Sequence, residues 1–373
     1  MLGNTNFNIG GMINLKKILA LMFCIVFMIC GNLLILSSCT DDDDDDIIIN
    51  TGEDLSAYFD PTLSTGTIEF TDSILNLEHF ERIIPLGQIN PPGHSFPTDH
   101  IYFVLSGSAR PVYAPTGGKV LYIEESGMYG DGAIRIGVTS TMAYYLGHVF
   151  VSEGLQVGDT VVAGTQIATS GNTVCVDFGV LNKNINNGFL SQKHPASTIY
   201  GDKPLSYYTE PLRTELYALV KPPQPSEDPS YVYNEEVTDG EFALDETGTL
   251  CGNWFIEGCF NEGGWYEWED TLAFGYDVYY PDQIRIGSGK CSNAFAIKNE
   301  DNLIRPENVS MASGVVAYYL YNANNTSKGL PTVARIGLMM VQMLSDSRIK
   351  LEIFDDTTSI SREFTSASLY YVR

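Results

Sequence analysis

The feature that most restricts the fold of this chain is the closely spaced glycines of residues 149–173, VFVSEGLQVGDTVVAGTQIATSGNT. Gly154, Gly158, Gly164 and Gly171 separate hydrophobic stretches of only a few residues. Glycine readily adopts positive φ, so repeated glycines allow the chain to reverse direction at each turn. The pattern predicts short β-strands joined by tight turns.

Similar short apolar runs fill residues 68–180 and recur in residues 231–373. The first region contains KVLYIEES, GAIRIGVTS, AYYLGHVFV and DTVVAG, and the second contains LAFGYDVYY, GVVAYYLYN, IKLEIF and ASLYYVR. Short runs rich in β-branched and aromatic residues and bounded by turn residues are typical of strands. We predict a mainly β protein with two β-domains, the second being an antiparallel sandwich or barrel.

The N-terminal segment predicts a lipid anchor. Lys16 and Lys17 precede an apolar run, residues 18–36, which ends in LSSC at Cys39. Small residues directly before a cysteine are typical of a lipoprotein signal peptide. A transmembrane helix is the alternative, because the run approaches the roughly 20 residues that span a bilayer. We predict that residues 1–38 are removed and that lipid on Cys39 anchors the mature chain to a membrane.

Composition also predicts the remaining boundaries. Residues 41–46 are six consecutive aspartates, whose like charges keep the chain extended. Residues 39–62 are therefore predicted to be an acidic tether, or alternatively an export signal for display on the cell surface. A proline-rich linker is predicted at residues 221–235. It separates a first domain, residues 63–220, from a C-terminal domain, residues 236–373.

The charge and the cysteines narrow the function classes. The net charge of −25 argues against nucleic acid or an anionic membrane surface as the partner, because phosphate binding requires clustered Lys and Arg. After Cys39 only Cys175, Cys251, Cys259 and Cys291 remain, which are too few for a disulfide scaffold. Pairing of Cys251 with Cys259 stays open.

Several motifs in the first domain resemble those of the lysostaphin-type zinc endopeptidases, which cut peptidoglycan cross-bridges. PVYAPTGGKV is similar to the family's Val-x-Ala-x-x-x-Gly-x-Val strand pair, and YYLGHVFV is similar to its Tyr-x-His-Leu strand. VCVDFGVLN follows GNT where the family has a strand bearing His-x-His. Biotinyl and lipoyl carriers share the glycine pattern, but the context of their modified lysine is absent. The resemblance implies the family's β-sheet fold, the duplicated hybrid motif.

The resemblance also implies a zinc site. The family holds zinc with the histidine and aspartate of one His-x-x-x-Asp segment and with the second histidine of His-x-His, and it leaves one position open for water. On this basis His94 is the first ligand, Asp99 or His100 the second and Asp177 the third. The step from His94 to Asp99 is five residues rather than four. If Asp99 and His100 both lie in a strand, they face opposite sides and cannot both bind one ion.

Two further positions concern proton transfer. His148 stands at the Tyr-x-His-Leu histidine, and Cys175 stands at the first histidine of His-x-His, where a thiol is not an equivalent proton shuttle at neutral pH. We expect a catalytically impaired domain that binds cell-wall peptide or an envelope protein partner. An active zinc endopeptidase is the alternative. His79 and His194 match no motif and are expected to be structural.

The C-terminal domain offers a third hypothesis. Trp254, Trp265 and Trp268 all lie within residues 251–270, and aromatic faces can stack on sugar rings. A glycan-binding surface lipoprotein is therefore an alternative function, and the competing interpretation is that these tryptophans belong to the core. GTLCGNWF is similar to the start of small up-and-down barrels. The sequence as a whole predicts a lipid-anchored protein of the bacterial cell envelope, with zinc as the one candidate cofactor.

Overall fold

The computed structural model describes residues 55–91, 93–127, 129–191, 193–222, 239–260, 266–298, 303–323, 326–327, 330–331, 334–355 and 363–373. All of them belong to one compact unit of the chain, residues 39–373. The predicted signal peptide, Cys39 with the aspartate run, and residues 223–235 of the predicted linker lie outside the described residues. In the described part, no helix has the length and apolar character required to cross a membrane.

The first domain is an antiparallel sheet of ten strands. They are β1 Phe80–Ile84, β2 Ile101–Leu105, β3 Pro111–Tyr113, β4 Gly118–Glu124, β5 Gly132–Thr139, β6 Met142–Val151, β7 Thr160–Val161, β8 Gln166–Ser170, β9 Cys175–Asn182 and β10 Gly201–Asp202. The order across the sheet is β1-β2-β9-β6-β5-β4-β7, with β10 on β9 and with β8 joining β3 to β6. The prediction of a mainly β protein is confirmed.

Helices in this domain are short. They are α1 Ala196–Ile199, α2 Leu212–Tyr217 and the 3-10 helices Leu55–Ala57, Leu77–His79 and Pro204–Tyr207. One face of the sheet carries the main core, in which Phe103 of β2, Leu146 of β6 and Phe178 of β9 are fully buried. Because side chains alternate along a strand, the neighbours of these residues point to the opposite face.

The end of the predicted tether packs on the sheet. Tyr58 and Phe59 are 2% and 3% exposed. The guanidinium carbon of Arg135 lies 4.0 Å from the centre of the Tyr58 ring, a cation–π contact. Lys119 Nζ lies 2.7 Å from Asp60 Oδ2. Residues 55–60 are therefore part of the folded domain.

The C-terminal domain is a closed barrel of eight strands in the order β11-β12-β13-β14-β15-β18-β19-β20. They are β11 Gly252–Ile256, β12 Thr271–Tyr276, β13 Ile284–Ser288, β14 Asn293–Ala296, β15 Val315–Asn322, β18 Gly337–Ser345, β19 Arg348–Phe354 and β20 Leu369–Val372. A hairpin of β16 Thr326–Ser327 and β17 Leu330–Pro331 and the 3-10 helices Trp268–Asp270, Pro306–Asn308 and Met311–Ser313 complete the domain. Pairing of β20 with β11 closes the barrel. Of the two predicted architectures, the barrel is confirmed.

The barrel interior is filled with side chains, as the diameter of an eight-stranded barrel allows. Trp254 is fully buried in this core, and its Nε1 donates to the Leu250 carbonyl at 2.9 Å. The guanidinium carbon of Arg373 lies 4.0 Å from the Trp254 ring centre. A buried indole has no face free for a sugar, so the placement of Trp254 in a glycan platform is wrong. Trp268 is half-buried, and Trp265 lies outside the described residues.

Cys251 and Cys259 do not pair. Both are free thiols, as is Cys291. Burial raises the pKa of the Cys251 thiol to about 12, and burial also raises the pKa of Cys259, to about 11. Both thiols are therefore protonated and unreactive at neutral pH.

Candidate functional site

The candidate residues lie on the face of the sheet opposite the main core, where β2, β9 and β6 are neighbours. In β9, Phe178 faces the main core, so Cys175 and Asp177 face the other way. Asp177 pairs with Tyr102 of β2 on one side and with Gly147 of β6 on the other. His100 directly precedes β2. The sheet thus brings the predicted residues of three separate segments to one place.

A bulge in β6 turns His148 into this site. Gly132 of β5 pairs with Val149, but Ile134 pairs with Leu146, so Gly147 and His148 together oppose one residue of β5. His148 has φ of 56°, an uncommon conformation for a side chain with a Cβ. Bulges of this kind redirect a side chain relative to the regular alternation. The site face therefore includes His148 although Leu146, two residues earlier, packs in the core.

Five side chains form an alternating series, Asp99, His100, Asp177, His148 and Asp131. Asp99 Oδ1 lies 2.7 Å from His100 Nδ1, and His100 Nε2 lies 3.6 Å from Asp177 Oδ2. The same Asp177 oxygen lies 3.5 Å from His148 Nε2, and His148 Nδ1 lies 3.4 Å from Asp131 Oδ1. Only the contact between Asp99 and His100 has the length of a strong hydrogen bond. Both imidazoles direct Nε2 towards one carboxylate oxygen.

Asp99 orients His100. Its Oδ2 accepts a hydrogen bond from Thr198 Oγ1 at 2.5 Å, and its Oδ1 also accepts one from the Tyr145 hydroxyl at 3.3 Å. Both carboxylate oxygens are thus occupied by neighbouring side chains. This is the arrangement in which a carboxylate fixes the ring of a histidine rather than binding a ligand itself. Asp99 and His100 are in direct contact, so they do not point to opposite sides of a strand.

The outer carboxylates of the series are ionised. Burial by itself would raise the pKa of Asp99, but the hydrogen bond and the electrostatic interaction with His100 and the hydrogen bond from the Thr198 hydroxyl lower it. Burial likewise opposes ionisation of Asp131, yet His148 and the Asn172 backbone N–H, which donates to Asp131 Oδ2 at 2.8 Å, lower its pKa. Each imidazole therefore has an anionic partner of its own on its Nδ1 side.

His94 reaches the site from a loop. Its ring centre lies 5.2 Å from that of His100 and 6.0 Å from that of Tyr102, in edge-on packing. Cys175 is also buried, and it packs against Tyr102 and Ile84. His94, Asp99, His100, His148 and Asp177 are each at most 5% exposed. The structure brings all the predicted site residues into one buried cluster.

The cluster does not form a metal centre in the described conformation. The described ranges contain no group of three or more His, Cys, Asp or Glu side chains arranged to hold an ion. Zinc requires three protein donors that converge at about 2.0–2.2 Å from one point. The residues as placed therefore do not fit zinc, and the assignment of ligands among His94, Asp99, His100 and Asp177 stays a prediction.

Sequence reasoning missed Asp131, Tyr145 and Thr198. Asp131 stands in a turn, GDG, that resembles any surface turn, and only the bulge at His148 brings the two together. Thr198 lies in α1, ninety-nine residues from its partner Asp99. His194 is buried, but within the part of the chain that the structure describes neither of its ring nitrogens has a hydrogen-bond partner.

Comparison with known proteins identifies the sheet domain. Residues 102–187 match the family described as Peptidase family M23, a range that includes His148, Cys175 and Asp177. No curated protein sequence matches the chain.

Three solved structures resemble part of the chain. A zinc-containing peptidase from Vibrio cholerae is 21% identical over 31% of this chain and 37% of its own, with a TM-score of 0.26. The catalytic domain of lysostaphin from Staphylococcus simulans is 19% identical over 34% of this chain and 87% of its own, with a TM-score of 0.25. The SpoIIQ–SpoIIIAH pore-forming complex is 12% identical over 40% of this chain and 97% of its own, with a TM-score of 0.30. The chain thus spans well under half of the Vibrio peptidase. Residues 102–187 of this chain are a peptidase family M23 domain.

Proposed function

We propose that this protein is a bacterial envelope lipoprotein whose M23 domain binds cell-wall peptide without hydrolysing it. The observation that carries the proposal is the position of Asp177. One carboxylate oxygen faces the Nε2 atoms of both His100 and His148, at 3.6 and 3.5 Å. The two imidazoles therefore face one carboxylate oxygen, and among the described residues no three such side chains are arranged to hold a metal ion.

The register of β2 adds support. If the His-x-x-x-Asp segment of the resembling peptidases is counted from His100, the aspartate position falls on Val104. Val104 pairs with Cys175 of β9, and both residues lie on the face of the sheet opposite the main core. A valine side chain has no donor atom for zinc. Two positions that the peptidases fill with a ligand or a proton carrier would then hold Val104 and Cys175.

The charge of the site favours an amine-bearing peptide. Asp99 and Asp131 keep lowered pKa values in a protein of net charge −25. A protein with this excess of carboxylates attracts a cationic group. Peptides with free amines, such as cell-wall stem peptides, meet this requirement, whereas nucleic acid and anionic lipid would be repelled. An envelope protein with an exposed Lys is the other partner that this chemistry admits.

Zinc-dependent cleavage is the second candidate, and one geometric observation favours it. Ligands of a tetrahedral zinc ion with bonds of about 2.0–2.1 Å lie roughly 3.3 Å apart. The two Nε2–Oδ2 separations of 3.6 and 3.5 Å are close to that value. A small rearrangement of His94 towards His100 would supply another imidazole.

Metal analysis of the purified full chain, combined with a peptide assay, tests the proposal. We expect substoichiometric zinc, no release of fragments from peptidoglycan, and saturable binding of a synthetic stem peptide that weakens at least tenfold in Asp177→Asn. Asp159→Asn, which changes a carboxylate in an exposed turn, serves as the control and should bind like the wild type. One equivalent of zinc together with peptide cleavage would establish the second candidate instead.

The anchor is tested separately. We propose that Cys39 carries lipid at the mature N-terminus and that the protein is displayed on the envelope, with the aspartate run as tether. Cys39→Ala should move the protein from the detergent phase to the aqueous phase on phase partitioning. Retention of Cys39→Ala in the membrane fraction would support the transmembrane alternative. Protease shaving of intact cells would then report whether the anchored protein faces outwards.

A further inference from the structure

The loop that carries His94 packs on the outside of the barrel. We call residues 88–91 and 93–96 the His94 loop, and the outward-facing residues of β11 to β14 the barrel wall. Ile89 of the loop is buried with Ala273 of β12 and Ala294 of β14, and Phe96 packs against the same cluster. The His94 loop and the barrel wall are therefore in direct apolar contact.

A glycine in the barrel wall makes the contact close. A Cβ added to Gly287 of β13 would lie 2.1 Å from the carbonyl oxygen of Ser95 and 2.6 Å from Ile89 Cγ2. The Ser95 oxygen belongs to the backbone next to His94 and cannot move without the loop. Gly275 of β12 offers a contrast, because an added Cβ there meets only side-chain ends, Leu244 Cδ1 at 2.7 Å and Ile89 Cδ1 at 3.3 Å.

Phe96 anchors the far arm of the loop. Its ring centre lies 5.1 Å from that of Phe255 in the barrel wall and 5.2 Å from that of His194 in the sheet domain. Phe255 also contacts His194, at 5.2 Å. The three rings close the seam between the two domains beside the loop.

The loop is built as one small piece. The Asn90 N–H donates to the His94 carbonyl at 2.7 Å, and the His94 N–H donates back to Asn90 at 3.3 Å. At its base, the Gly87 N–H donates to Thr98 at 2.8 Å, and Gly87 has φ of 87°. A hairpin held by its own hydrogen bonds can move about its base while those bonds stay intact. In the present position, it lays the His94 ring on His100.

The seam buries polar groups that have no partner. Ser95 Oγ, both ring nitrogens of His194 and both side-chain polar atoms of Asn253 have no hydrogen-bond partner among the described residues, and Ser95, His194 and Asn253 are 1%, 0% and 1% exposed. Asn253 is two residues from Phe255 and so faces the same side of β11. Buried unpartnered polar groups oppose burial, since water would satisfy each of them. The closed seam is therefore less stable than a fully apolar contact of the same extent.

We infer that the His94 loop is a lid, which the barrel wall holds closed over the His100 side of the site and which must leave the wall before a peptide reaches Asp177. The inference rests on the proposed function, because it describes regulation of the same site. It gives the barrel a role that neither its filled interior nor its strand order suggests. The barrel is the intramolecular partner of the loop.

Histidine accessibility tests the lid in the full-length protein. Diethylpyrocarbonate modifies exposed imidazoles, and mass spectrometry assigns the product to each of the five histidines. In Gly287→Ala we expect His94 and His100 to react at least tenfold faster than in the wild type, because the added methyl displaces Ser95. His79, which lies in the 3-10 helix Leu77–His79 outside the His94 loop, is the internal reference and should not change. Gly275→Ala is the matched control on the same wall and should leave all rates as in the wild type.

Several outcomes separate this inference from the proposed function. Unchanged rates for His94 and His100 in a folded Gly287→Ala, or equal increases in both glycine variants, would overturn the lid. If Gly287→Ala does not fold, Phe96→Ala replaces it, with the same expected increase. Faster modification without binding of a synthetic stem peptide by any variant would leave the lid in place and refute the proposed function. Tight peptide binding by the wild type with unchanged accessibility would refute only the lid.

Discussion

The barrel interior and the site face of the sheet are both buried, yet opposite kinds of side chain fill them. The barrel encloses hydrocarbon, and two polar atoms of its core are hydrogen-bonded to the backbone: Trp254 Nε1 donates to the Leu250 carbonyl and the Tyr318 hydroxyl donates to the Ile304 carbonyl. The site face encloses the series from Asp99 to Asp131, in which three contacts are 3.4 Å or longer. Buried charges with long contacts add little to stability. The barrel core therefore contributes more to the stability of the fold than the site face, which keeps five ionisable side chains buried.

The largest expected effect lies in the barrel. Trp254→Ala removes a fully buried indole, its hydrogen bond to Leu250 and its contact with Arg373. Large-to-small changes of this kind cost about 3–5 kcal/mol of unfolding free energy. Urea unfolding followed by circular dichroism measures the decrease. Trp268→Ala, at a half-buried position, is the control and should cost about 1 kcal/mol or less. Equal decreases would show that the barrel core is not the stable part of the molecule.

The second prediction compares two carboxylates of the site. Asp99→Asn disrupts the 2.7 Å contact with His100 and the 2.5 Å hydrogen bond from Thr198, so it should cost about 1.5–3 kcal/mol. Asp177→Asn should cost about 1 kcal/mol or less, because both histidines keep an aspartate on Nδ1 and the Asp177 oxygen lies as far as 3.5 and 3.6 Å from their Nε2 atoms. Urea unfolding of both variants at pH 7 measures the difference. The reverse order would mean that Asp177 stabilises the site face, against the comparison above.

The sequence predicted the strands, but it did not predict the closure of the barrel or the bulge in β6. KVLYIEES and GAIRIGVTS became β4 and β5, and GVVAYYLYN and IKLEIF became β15 and β19, because short apolar runs between glycines leave few alternatives. Whether the second domain closes depends on β11 meeting β20, more than a hundred residues later, which no local pattern encodes.

The sequence named residues that the sheet places close together, but it did not show which of them contact one another. The resemblance placed His94, His100, His148, Cys175 and Asp177 together, and the sheet brings them together. The resemblance could not show that Asp99 orients the His100 ring, because a shift of one residue along the strand would change which of the two side chains faces the site. Nor could it find Asp131, since the bulge at His148 arises from how β5 and β6 pair. The contact between Gly287 and Ser95 lies between domains and leaves no sequence signal.

The third prediction concerns the seam and depends on pH. Burial lowers the pKa of His194 to about 3. The unfolded chain takes up a proton at His194 near pH 6.5, whereas the folded chain does not. The contribution of His194 to the free energy of unfolding is therefore fully present above pH 6.5, and it decreases as the pH falls from 6.5 towards 3. One pKa unit corresponds to about 1.4 kcal/mol, which gives a decrease of about 2 kcal/mol at pH 5.

His194→Phe isolates this contribution. The new ring would lie among Phe96, Phe189 and Phe255, whose centres lie 4.4 to 5.2 Å from the His194 ring. The variant should be more stable than the wild type, and by a larger margin at pH 5 than at pH 8, as measured by urea unfolding at both values. His79→Phe, at a half-buried position, is the control, and its stability should differ between pH 5 and pH 8 by the same amount as that of the wild type. An unchanged pH response in His194→Phe would mean that His194 is solvated in the folded protein.

The smallest effect is expected for a charge pair whose lysine is exposed. Lys119 Nζ lies 2.7 Å from Asp60 Oδ2, but the Lys119 side chain is 39% exposed. Exposed pairs are screened by water and salt, and ordering a long side chain costs entropy, so they add little. Lys119→Met should leave the urea midpoint at 0.5 M salt unchanged and lower it slightly at low salt. The Lys119–Asp60 and Asp99–His100 contacts have the same length of 2.7 Å and differ chiefly in exposure. If Lys119→Met lowered the stability as much as Asp99→Asn does, burial would not be what determines the strength of polar contacts in this domain.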